Sequence, residues 1–362
     1  MDRTPGQSAA RDFWNGRRVF LTGHTGFKGS WLALRLLALG ARVWGYALPP
    51  DDGPNAFDVL RLADEVDSTL GDVRDAAALA NAMRRAQPEV VIHLAAQALV
   101  RRGYRQPLDT FETNVIGTAH VLDAVRMRTA PGVGLVLVVT SDKVYATGQQ
   151  RPMREGDPLG GDDPYSASKA CAELVVAGYR RLLGGGARLA TARAGNVIGG
   201  GDWAEDRLVP DMVRAAAQGT ALHLRYPHAV RPWQHVADVV NGYLRLVEAL
   251  AGDAQRERAW NFGPPAGSDA TVLTLAERFL SAYAPETRIE VDEAAPLEEA
   301  AFLALDAGDA RRVLGWAPRY DLDRLIQTTA EWYDAWRRGA TASLRDLTVA
   351  QLRPAGEAIA AS

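Results

Sequence analysis

A tyrosine and a lysine four residues apart, Tyr165 and Lys169, carry the clearest chemical signal in this sequence. A helix is expected to begin here, which would place both side chains on one helix face. A neighbouring ammonium group favours the ionised form of a phenol, whose ordinary pKa is about 10. The phenolate can then take a proton from a hydroxyl group while a hydride leaves the same carbon. Ser141 is expected to add a hydroxyl group beside this pair. It follows LVLVVT, an apolar segment typical of a buried strand.

An acid and a base, Asp142 and Lys143, directly follow Ser141. A simple dehydrogenase or epimerase needs only the hydroxyl, the tyrosine and the lysine. An added acid and base would allow elimination of water across C5–C6 of a sugar, because the C5 proton becomes acidic once C4 is a ketone. The alternative is that Asp142 and Lys143 only cap the end of a strand and are exposed to solvent. Lysine is rare in this chain, with three among 41 basic residues, and each lies in a motif where a movable lysine pKa would matter.

Three glycines with the spacing G-x-x-G-x-x-G lie between a predicted strand and an apolar helix. Glycine permits the tight turn and lets the backbone approach a pyrophosphate, and the helix N-terminus supplies free N–H groups. This spacing resembles the extended short-chain dehydrogenase/reductase family more than the simpler G-x-G-x-x-G dehydrogenases. The alternative is that the three glycines form a turn that has only a structural role. The predicted dinucleotide contacts in this loop are Gly23, Thr25, Gly26, Phe27, Lys28 and Gly29.

Two further strand ends are expected to line the same dinucleotide. Asp72 and Val73 follow the third predicted strand, where the adenine is expected. Ala95, Ala96 and Gln97 follow the fourth strand and are expected beside the nicotinamide ribose, although close packing would also explain the two alanines. We expect the cofactor to be NAD, bound also by the Tyr–Lys pair. The basis for NAD over NADP stays open, because the second strand ends in Ala-Leu-Pro-Pro rather than an acidic residue.

The elements that must position these residues alternate between apolar strands and helices. Strands are predicted at 18–22, 42–48, 89–96 and 135–140, with a weaker one ending at Gly71–Asp72, and helices at 30–39, 75–87 and 109–128. This alternation indicates an α/β fold with a doubly wound parallel Rossmann sheet.

The second half of the chain has shorter elements and more Gly, Pro and Trp. A strand at 230–236, a helix at 237–251 and a strand at 259–265 are predicted there. We assign residues 1–195, with about 236–262, to the dinucleotide-binding domain. Residues 196–235 and 263–340 are assigned to a smaller α/β substrate lobe, and residues 341–362 to a loosely held tail.

The bulk composition limits the partners. The chain has 362 residues, 47% hydrophobic and 23% charged, with a net charge of −3, so we expect no nucleic-acid partner. No apolar run reaches the roughly 18 residues of a membrane span, and no signal-peptide core is present, so no membrane partner is expected. The single cysteine, Cys171, excludes an internal disulfide, which favours a cytoplasmic location. No metal site is predicted.

Longer motifs resemble those of the CDP-glucose 4,6-dehydratases over nearly the whole chain. The most specific are TGHTGFKGSW, GNVIGGGDW and RPWQHV. The resemblance implies that Ser141, Tyr165 and Lys169 form the redox triad, with Asp142 as acid and Lys143 as base at C5. It also implies the reaction, in which hydride leaves C4, water leaves across C5–C6 and the hydride returns to C6 of CDP-glucose.

The same resemblance implies the residues that hold the nucleotide sugar. They are Asn196, Gly201, Asp202, Trp203, Arg207 and Arg231. The planar guanidinium of Arg231 suits phosphate oxygens. Two features depart from the pattern. Val144 stands where the resemblance predicts a cysteine, and the loop after Tyr145, expected to line the sugar pocket, is short and lacks a Glu-Asn pair.

Three other interpretations stay open. A nucleotide-sugar 4-epimerase on the same scaffold would not need the Asp-Lys pair, and a dehydratase of another nucleotide hexose would keep it. A cofactor-sensing protein with an inactive Rossmann domain would need neither Tyr165 nor Lys169. A homodimer through the helices at 109–128 and 165–183 is expected, although their apolar faces could also be core.

Overall fold

The computed structural model describes residues 5–265, 267–291 and 302–353. In this part of the chain the strands are β1 Arg18–Thr22, β2 Arg42–Ala47, β3 Asp67–Leu70, β4 Val90–His93, β5 Leu135–Val139, β6 Arg188–Ala194, β7 Val197–Ile198, β8 Leu222–Leu224, β9 Val230–Pro232, β10 Gln234–His235, β11 Ala259–Phe262, β12 Asp269–Thr271 and β13 Ile289–Val291. The helices are α1 Pro5–Trp14, α2 Phe27–Ala38, α3 Ala56–Val59, α4 Ala76–Ala86, α5 Val100–Arg105, α6 Pro107–Phe111, α7 Gly117–Arg126, α8 Pro164–Leu182, α9 Leu208–Gln218, α10 Val236–Gly252, α11 Val272–Tyr283, α12 Gly308–Leu314, α13 Leu322–Arg337 and α14 Thr341–Leu352.

Seven strands form one sheet in the order β11-β6-β5-β4-β1-β2-β3, and every neighbouring pair is parallel. The predicted doubly wound Rossmann sheet is therefore confirmed. The strand order reverses between β1 and β4, and ligands of such sheets bind beyond the carboxyl ends of the strands at this point.

The sheet is buried on both faces because apolar residues alternate sides along each strand. In β1, Val19 and Leu21 pack into the apolar cluster that contains α2 and α10, whereas Phe20 packs on the opposite side with α4 and α7. All four residues of β4 and all five of β5 are buried. This explains the continuous apolar strands in the sequence.

The long helix predicted at 109–128 runs from 107 to 126 and contains an irregularity that the sequence pattern did not predict. Glu112–Ile116 forms one π-helical turn between α6 and α7. Such turns often occur at functional sites, since they rotate the following side chains relative to a regular helix. Here the turn includes the buried residue Asn114.

The segment after β6 begins with β7. α10 packs against β5 and β6, and β11 adds to the edge of the main sheet beside β6. The strand predicted at 230–236 is instead two short strands, β9 and β10, which pair with β12 and β7 respectively. β8 pairs in parallel with β13.

The expected loosely held tail is wrong for residues 341–352, which form α14. This helix packs against α2, α10 and α13, and buries Leu344 and Leu352. Arg319 fixes its end by donating hydrogen bonds to the carbonyl oxygens of Gln351 and Arg353. Residues 354–362 of the predicted tail lie outside the described residues.

Three of the six histidines, His24, His93 and His235, are buried. Burial lowers the pKa of His24 to about 4 and the pKa of both His93 and His235 to about 3. The ring nitrogens of His93 lie 2.7 Å from Thr22 Oγ1 and 3.1 Å from Thr118 Oγ1. These rings are neutral structural groups. No helix in the described ranges is long and apolar enough to cross a membrane.

Candidate active site and cofactor cavity

Two adjoining cavities open at the carboxyl ends of the parallel strands. The first has a volume of about 310 Å³ and contains the predicted catalytic groups, and the second has a volume of about 370 Å³ and contains the glycine loop. Both are lined by Lys28, Tyr165, Asp202 and Arg207. The two cavities therefore meet at the phenol and at two cationic side chains.

The glycine loop after β1 leaves a space that side chains would fill. Gly23 has a φ of +76°, and a Cβ there would lie 2.7 Å from the backbone nitrogen of Ala95. A Cβ on Gly29 would lie 2.0 Å from the carbonyl oxygen of Gly23. Gly26 caps α2 and lines the second cavity. This cradle at a helix N-terminus fits a dinucleotide pyrophosphate.

The remaining predicted cofactor residues line the same cavity. They are Thr25, Phe27, Asp72, Val73, Ala95, Ala96 and Gln97. Thr25 donates a hydrogen bond of 2.9 Å to the carbonyl oxygen of Leu48, which ties the loop to the end of β2. Tyr46 donates one of 3.0 Å to the carbonyl oxygen of Asp72.

Charges at the far end of this cavity bear on the choice between NAD and NADP. Asp51 and Asp52, which follow the Ala-Leu-Pro-Pro segment after β2, line the cavity. The guanidinium of Arg74 is 2.6 Å from Asp72 and also pairs with Asp109. Because two carboxylates already engage Arg74, this end disfavours an added phosphate.

Tyr165 stands at the start of α8, where Asp163 accepts a hydrogen bond from the backbone of Ser166 and Pro164 occupies the first turn. Burial raises the pKa of Tyr165 to about 12, and a hydrogen bond with the Ser141 side chain opposes that rise. The cation of Arg207 opposes it as well. The phenol is therefore neutral at rest and lies beside two groups that favour its ionised form.

Lys169 lies one turn further along α8 and is buried. Its Nζ donates a 3.4 Å hydrogen bond to the carbonyl oxygen of Val139. Burial, together with the charge of Lys28, lowers the pKa of Lys169 to about 7, and the charge of Glu173 opposes this shift. Its charge is thus set by its neighbours.

Asp142 is buried beside the hydroxyl of Ser141. Its Oδ1 accepts a 2.9 Å hydrogen bond from Ser141 Oγ, and its Oδ2 accepts one of 3.3 Å from Asn196 Nδ2. A Cβ on Gly195 would lie 1.8 Å from Asp142 Cγ, so the carboxyl group needs a glycine there. Lys143 also lines the first cavity. The hydroxyl, acid, lysine and phenol predicted from sequence thus come together.

Asn114 is a site residue that the sequence analysis missed. Its Oδ1 accepts a 2.9 Å hydrogen bond from the backbone N–H of Gln97, and its Nδ2 donates one of 2.9 Å to the carbonyl oxygen of the same residue. Nδ2 also donates a 2.8 Å hydrogen bond to Ser168 Oγ. Asn114 therefore joins the cofactor loop to α8. The available signal was an asparagine inside a predicted helix, where asparagine is disfavoured.

A buried ion pair behind Lys169 was also missed. Arg193 Nε and Nη2 lie 2.9 and 3.0 Å from the two carboxylate oxygens of Glu173. Thr140 and Thr191 donate hydrogen bonds of 2.6 and 2.9 Å to the same carboxylate. Arg193 also donates a 2.8 Å bond to the hydroxyl of Tyr145, at the start of the predicted sugar loop. The signal was a glutamate four residues after Lys169.

The residues predicted to hold the nucleotide sugar fall into two groups. Asn196, Asp202, Arg207 and Arg231 line the first cavity, and Arg207 pairs with Asp202 at 2.8 Å. Gly201 and Trp203 line the second cavity instead. The indole of Trp203 packs among Trp332, Tyr333 and Trp336, with ring centroids 5.4 to 5.9 Å apart. The structure does not bring these two residues to the first cavity.

Among the described residues, no cluster of three or more His, Cys, Asp or Glu side chains could hold a metal ion. The fold and site place the chain among the extended short-chain dehydrogenases/reductases, since a Rossmann glycine cradle adjoins a cavity with a serine, a tyrosine and a lysine at i+4. More narrowly, the chain belongs to the family described as GDP-mannose 4,6 dehydratase, whose model matches residues 20–329.

Several known proteins are similar in sequence to this chain over most of its length. It is 42% identical to the CDP-glucose 4,6-dehydratase of Salmonella typhimurium, over 91% of this chain and 94% of that protein. It is 29% identical to a dTDP-glucose 4,6-dehydratase of Streptomyces griseus, over 88% and 94%. It is 28% identical to a UDP-glucose 4-epimerase of Rhizobium leguminosarum bv. trifolii, over 88% and 98%.

Solved structures share the fold. A dTDP-glucose 4,6-dehydratase of Streptomyces venezuelae with NAD bound superposes with a TM-score of 0.74 at 26% identity, over 90% of this chain and 99% of that chain. A UDP-glucose 4-epimerase of Stenotrophomonas maltophila gives a TM-score of 0.77 at 24% identity, over 89% and 99%. Because the epimerase is only 24% identical to this chain, its similarity supports the fold alone.

Proposed function

We propose that this chain is an NAD-dependent CDP-glucose 4,6-dehydratase. The observation that carries the proposal is the placement of Ser141, Asp142 and Lys143 in one cavity with Tyr165. The 42% identity to a CDP-glucose 4,6-dehydratase supports the reaction and the cytidine nucleotide together. The glycine cradle and the NAD-bound relative support the cofactor.

The first step is oxidation at C4 of the glucose unit. Tyr165 takes the proton of the C4 hydroxyl, and Ser141, hydrogen-bonded to Tyr165, orients that hydroxyl. Bound NAD would accept the C4 hydride and later supply it to C6. Lys169, when cationic, stabilises the phenolate of Tyr165.

The second step is elimination of water across C5 and C6. Lys143 removes the C5 proton, which the adjacent C4 ketone has made acidic, and Asp142 donates a proton to the departing C6 hydroxyl. Asp142 is suited to this role because Ser141 and Asn196 fix its carboxyl group from both sides. Return of the hydride to C6 and of a proton to C5 completes the reaction, which is therefore redox-neutral overall.

The departures from the family pattern fit this proposal. Val144 is completely buried in a small apolar cluster with Tyr145, Met153 and Leu305, away from the cavity. Within the short loop, Glu155 accepts a 2.9 Å hydrogen bond from the backbone of Asn261. A valine in place of a cysteine thus changes packing behind the site rather than the groups that line it.

The test is incubation with CDP-glucose, UDP-glucose and dTDP-glucose, followed by mass spectrometry of the products. We expect CDP-glucose to lose the mass of one water molecule without net release of NADH. A product of unchanged mass with inverted C4 would favour the 4-epimerase, and stoichiometric NADH would indicate a plain dehydrogenase. Preference for another nucleotide would retain the reaction but reject the cytidine assignment.

We also propose a homodimer through the helix at 107–126 and α8. Their outer faces expose large apolar side chains, including Leu108 at 70%, Leu174 at 62% and Leu182 at 63% exposure. The helices already pack against each other through α7 and α8, so these side chains are left over after the core is formed. A second copy would cover them. Sedimentation equilibrium should give twice the chain mass.

A further inference from the structure

Lys28 occupies a position that the proposed reaction does not use. It lies in the first turn of α2, between Gly26 and Gly29 of the phosphate-binding loop. Its side chain lines both cavities where they meet. Among the residues that the structure describes, its ammonium group forms no hydrogen bond or ion pair. A cation at such a junction is available to an anion bound in the loop.

Charges on both sides act on Lys28. Asp142 and Asp202 attract its proton, whereas Arg207 repels it, and burial is the main cause that lowers the pKa of Lys28 to about 8. Lys169, the cation proposed to stabilise the catalytic phenolate, lines the second cavity together with Lys28, and the charge of Lys28 lowers the pKa of Lys169. The effect is repulsive, so each ammonium group makes the other easier to deprotonate.

Lys169 receives opposing influences from the elements packed around it. Lys28 at the start of α2 disfavours its charge, whereas Glu173 on α8 favours it. On β4, His93 is neutral near pH 7, since burial holds its pKa at about 3. On β5, the carbonyl oxygen of Val139 accepts a hydrogen bond from the ammonium group. Tyr165 on α8 is also neutral at rest.

We propose that Lys28 is a positioning residue that couples occupancy of the phosphate-binding loop to the charge of Lys169. An anion beside Lys28 offsets its positive field, so Lys169 holds its proton more tightly. Lys169 then carries the charge that favours the Tyr165 phenolate only when the dinucleotide is in place. The catalytic consequence rests on the proposed function, whereas the electrostatic coupling can be measured without turnover.

The scarcity of lysine makes the measurement direct. A chain labelled with ¹³C at lysine Cε shows only three side-chain signals, from Lys28, Lys143 and Lys169. Their pKa values are followed by NMR with and without ADP-ribose, which carries the pyrophosphate but has no nicotinamide ring to reduce. We expect ADP-ribose to raise the pKa of Lys169 by about one unit, the effect of one offset charge.

Variants at Lys28 distinguish coupling through Lys28 from a direct attraction between the ligand and the charge of Lys169. In Lys28→Met the pKa of Lys169 should already be higher in the free protein, and ADP-ribose should change it by less than half the wild-type shift. Lys28→Arg keeps a cation and should restore both the low starting value and the full response. Glu173→Gln should shift the pKa of Lys169 downwards in both states and leave the ligand response in place. If that variant does not fold, Glu173→Gln with Arg193→Gln removes the whole buried ion pair.

Equal responses of Lys169 to ADP-ribose in wild type and Lys28→Met would overturn the proposal. So would an unchanged starting pKa of Lys169 in Lys28→Met. Calorimetry on the same samples reports whether ADP-ribose binds. Absence of binding by the wild type would contradict the proposed cofactor site, and the starting values in Lys28→Met and Lys28→Arg would still test the coupling.

Discussion

Replacing Gly195 by alanine tests whether the position of the Asp142 carboxyl group controls the elimination step. The new Cβ would lie 1.8 Å from Asp142 Cγ, and ordinary van der Waals contact begins near 3.4 Å. The carboxyl group must therefore move by about 1.6 Å, since close-packed neighbours leave little room for other adjustments. That movement breaks the hydrogen bonds with Ser141 and Asn196, which are 2.9 and 3.3 Å long.

A displacement of about 1 Å in a catalytic group can reduce a rate by about 10²-fold. We expect turnover of Gly195→Ala to fall by at least that factor, and overpacking to lower the free energy of unfolding by about 1–3 kcal/mol. Stopped-flow absorbance of enzyme-bound NADH separates the two steps. Because Asp142 is assigned to water loss, bound NADH should appear and persist, and exchange of the C5 proton should continue.

The matched control is Gly134→Ala, where no heavy atom lies within 4 Å of the added Cβ. That variant should retain wild-type turnover and stability. Near wild-type turnover in a folded Gly195→Ala protein would refute the assignment of Asp142 as the acid. Loss of NADH formation together with product formation would show that the carboxyl group serves the first step, through its bond to Ser141.

Four further outcomes are expected. Tyr165→Phe should reduce NADH formation by about 10²–10⁴-fold while cofactor affinity, measured by calorimetry, stays near wild type; full turnover would remove Tyr165 from the mechanism. Lys143→Arg should form bound NADH but slow the exchange of the C5 proton with deuterated water, because arginine does not readily release a proton; wild-type exchange would place the base elsewhere. Leu174→Glu should shift the sedimenting species from dimer to monomer at unchanged helix content, and a persistent dimer would exclude this face. Acidification from pH 7.5 to 5.5 should destabilise the fold, because the three buried histidines have lowered pKa values and only the unfolded chain takes up their protons; each contributes about 1.4 kcal/mol, and urea unfolding that is as stable at pH 5.5 as at 7.5 would contradict this.

The sequence alone determined those features that depend on local spacing. The alternation of apolar strands with helices predicted the parallel sheet, because a strand covered on both faces is apolar throughout. The glycine spacing after β1 predicted the loop whose cradle the structure displays, since a Cβ on Gly23 or Gly29 would clash. Tyr165 and Lys169 were placed together because one helical turn separates them. Each of these inferences requires only neighbouring residues.

The tertiary structure decided which distant residues share a space. Gly195 follows β6 and Asp142 follows β5, and only the sheet order brings their atoms into contact. Trp203 belongs to a motif that resembles a nucleotide-sugar-binding loop. Its indole nevertheless packs on α13, and the residue lines the second cavity. Residues 341–352 were expected to be loose because nothing in their own pattern shows the apolar groove that α2, α10 and α13 offer them.

Lys28 and Lys169 show most clearly the difference between what the sequence determines and what the tertiary structure decides. Sequence identified both as rare lysines in functional motifs, because rarity and motif membership are properties of the chain itself. It could not show that their charges interact, since they are far apart in sequence and lie on different helices. Their interaction depends on burial and on the cavity that both line, because the dielectric response that weakens such charges in water is reduced inside the protein.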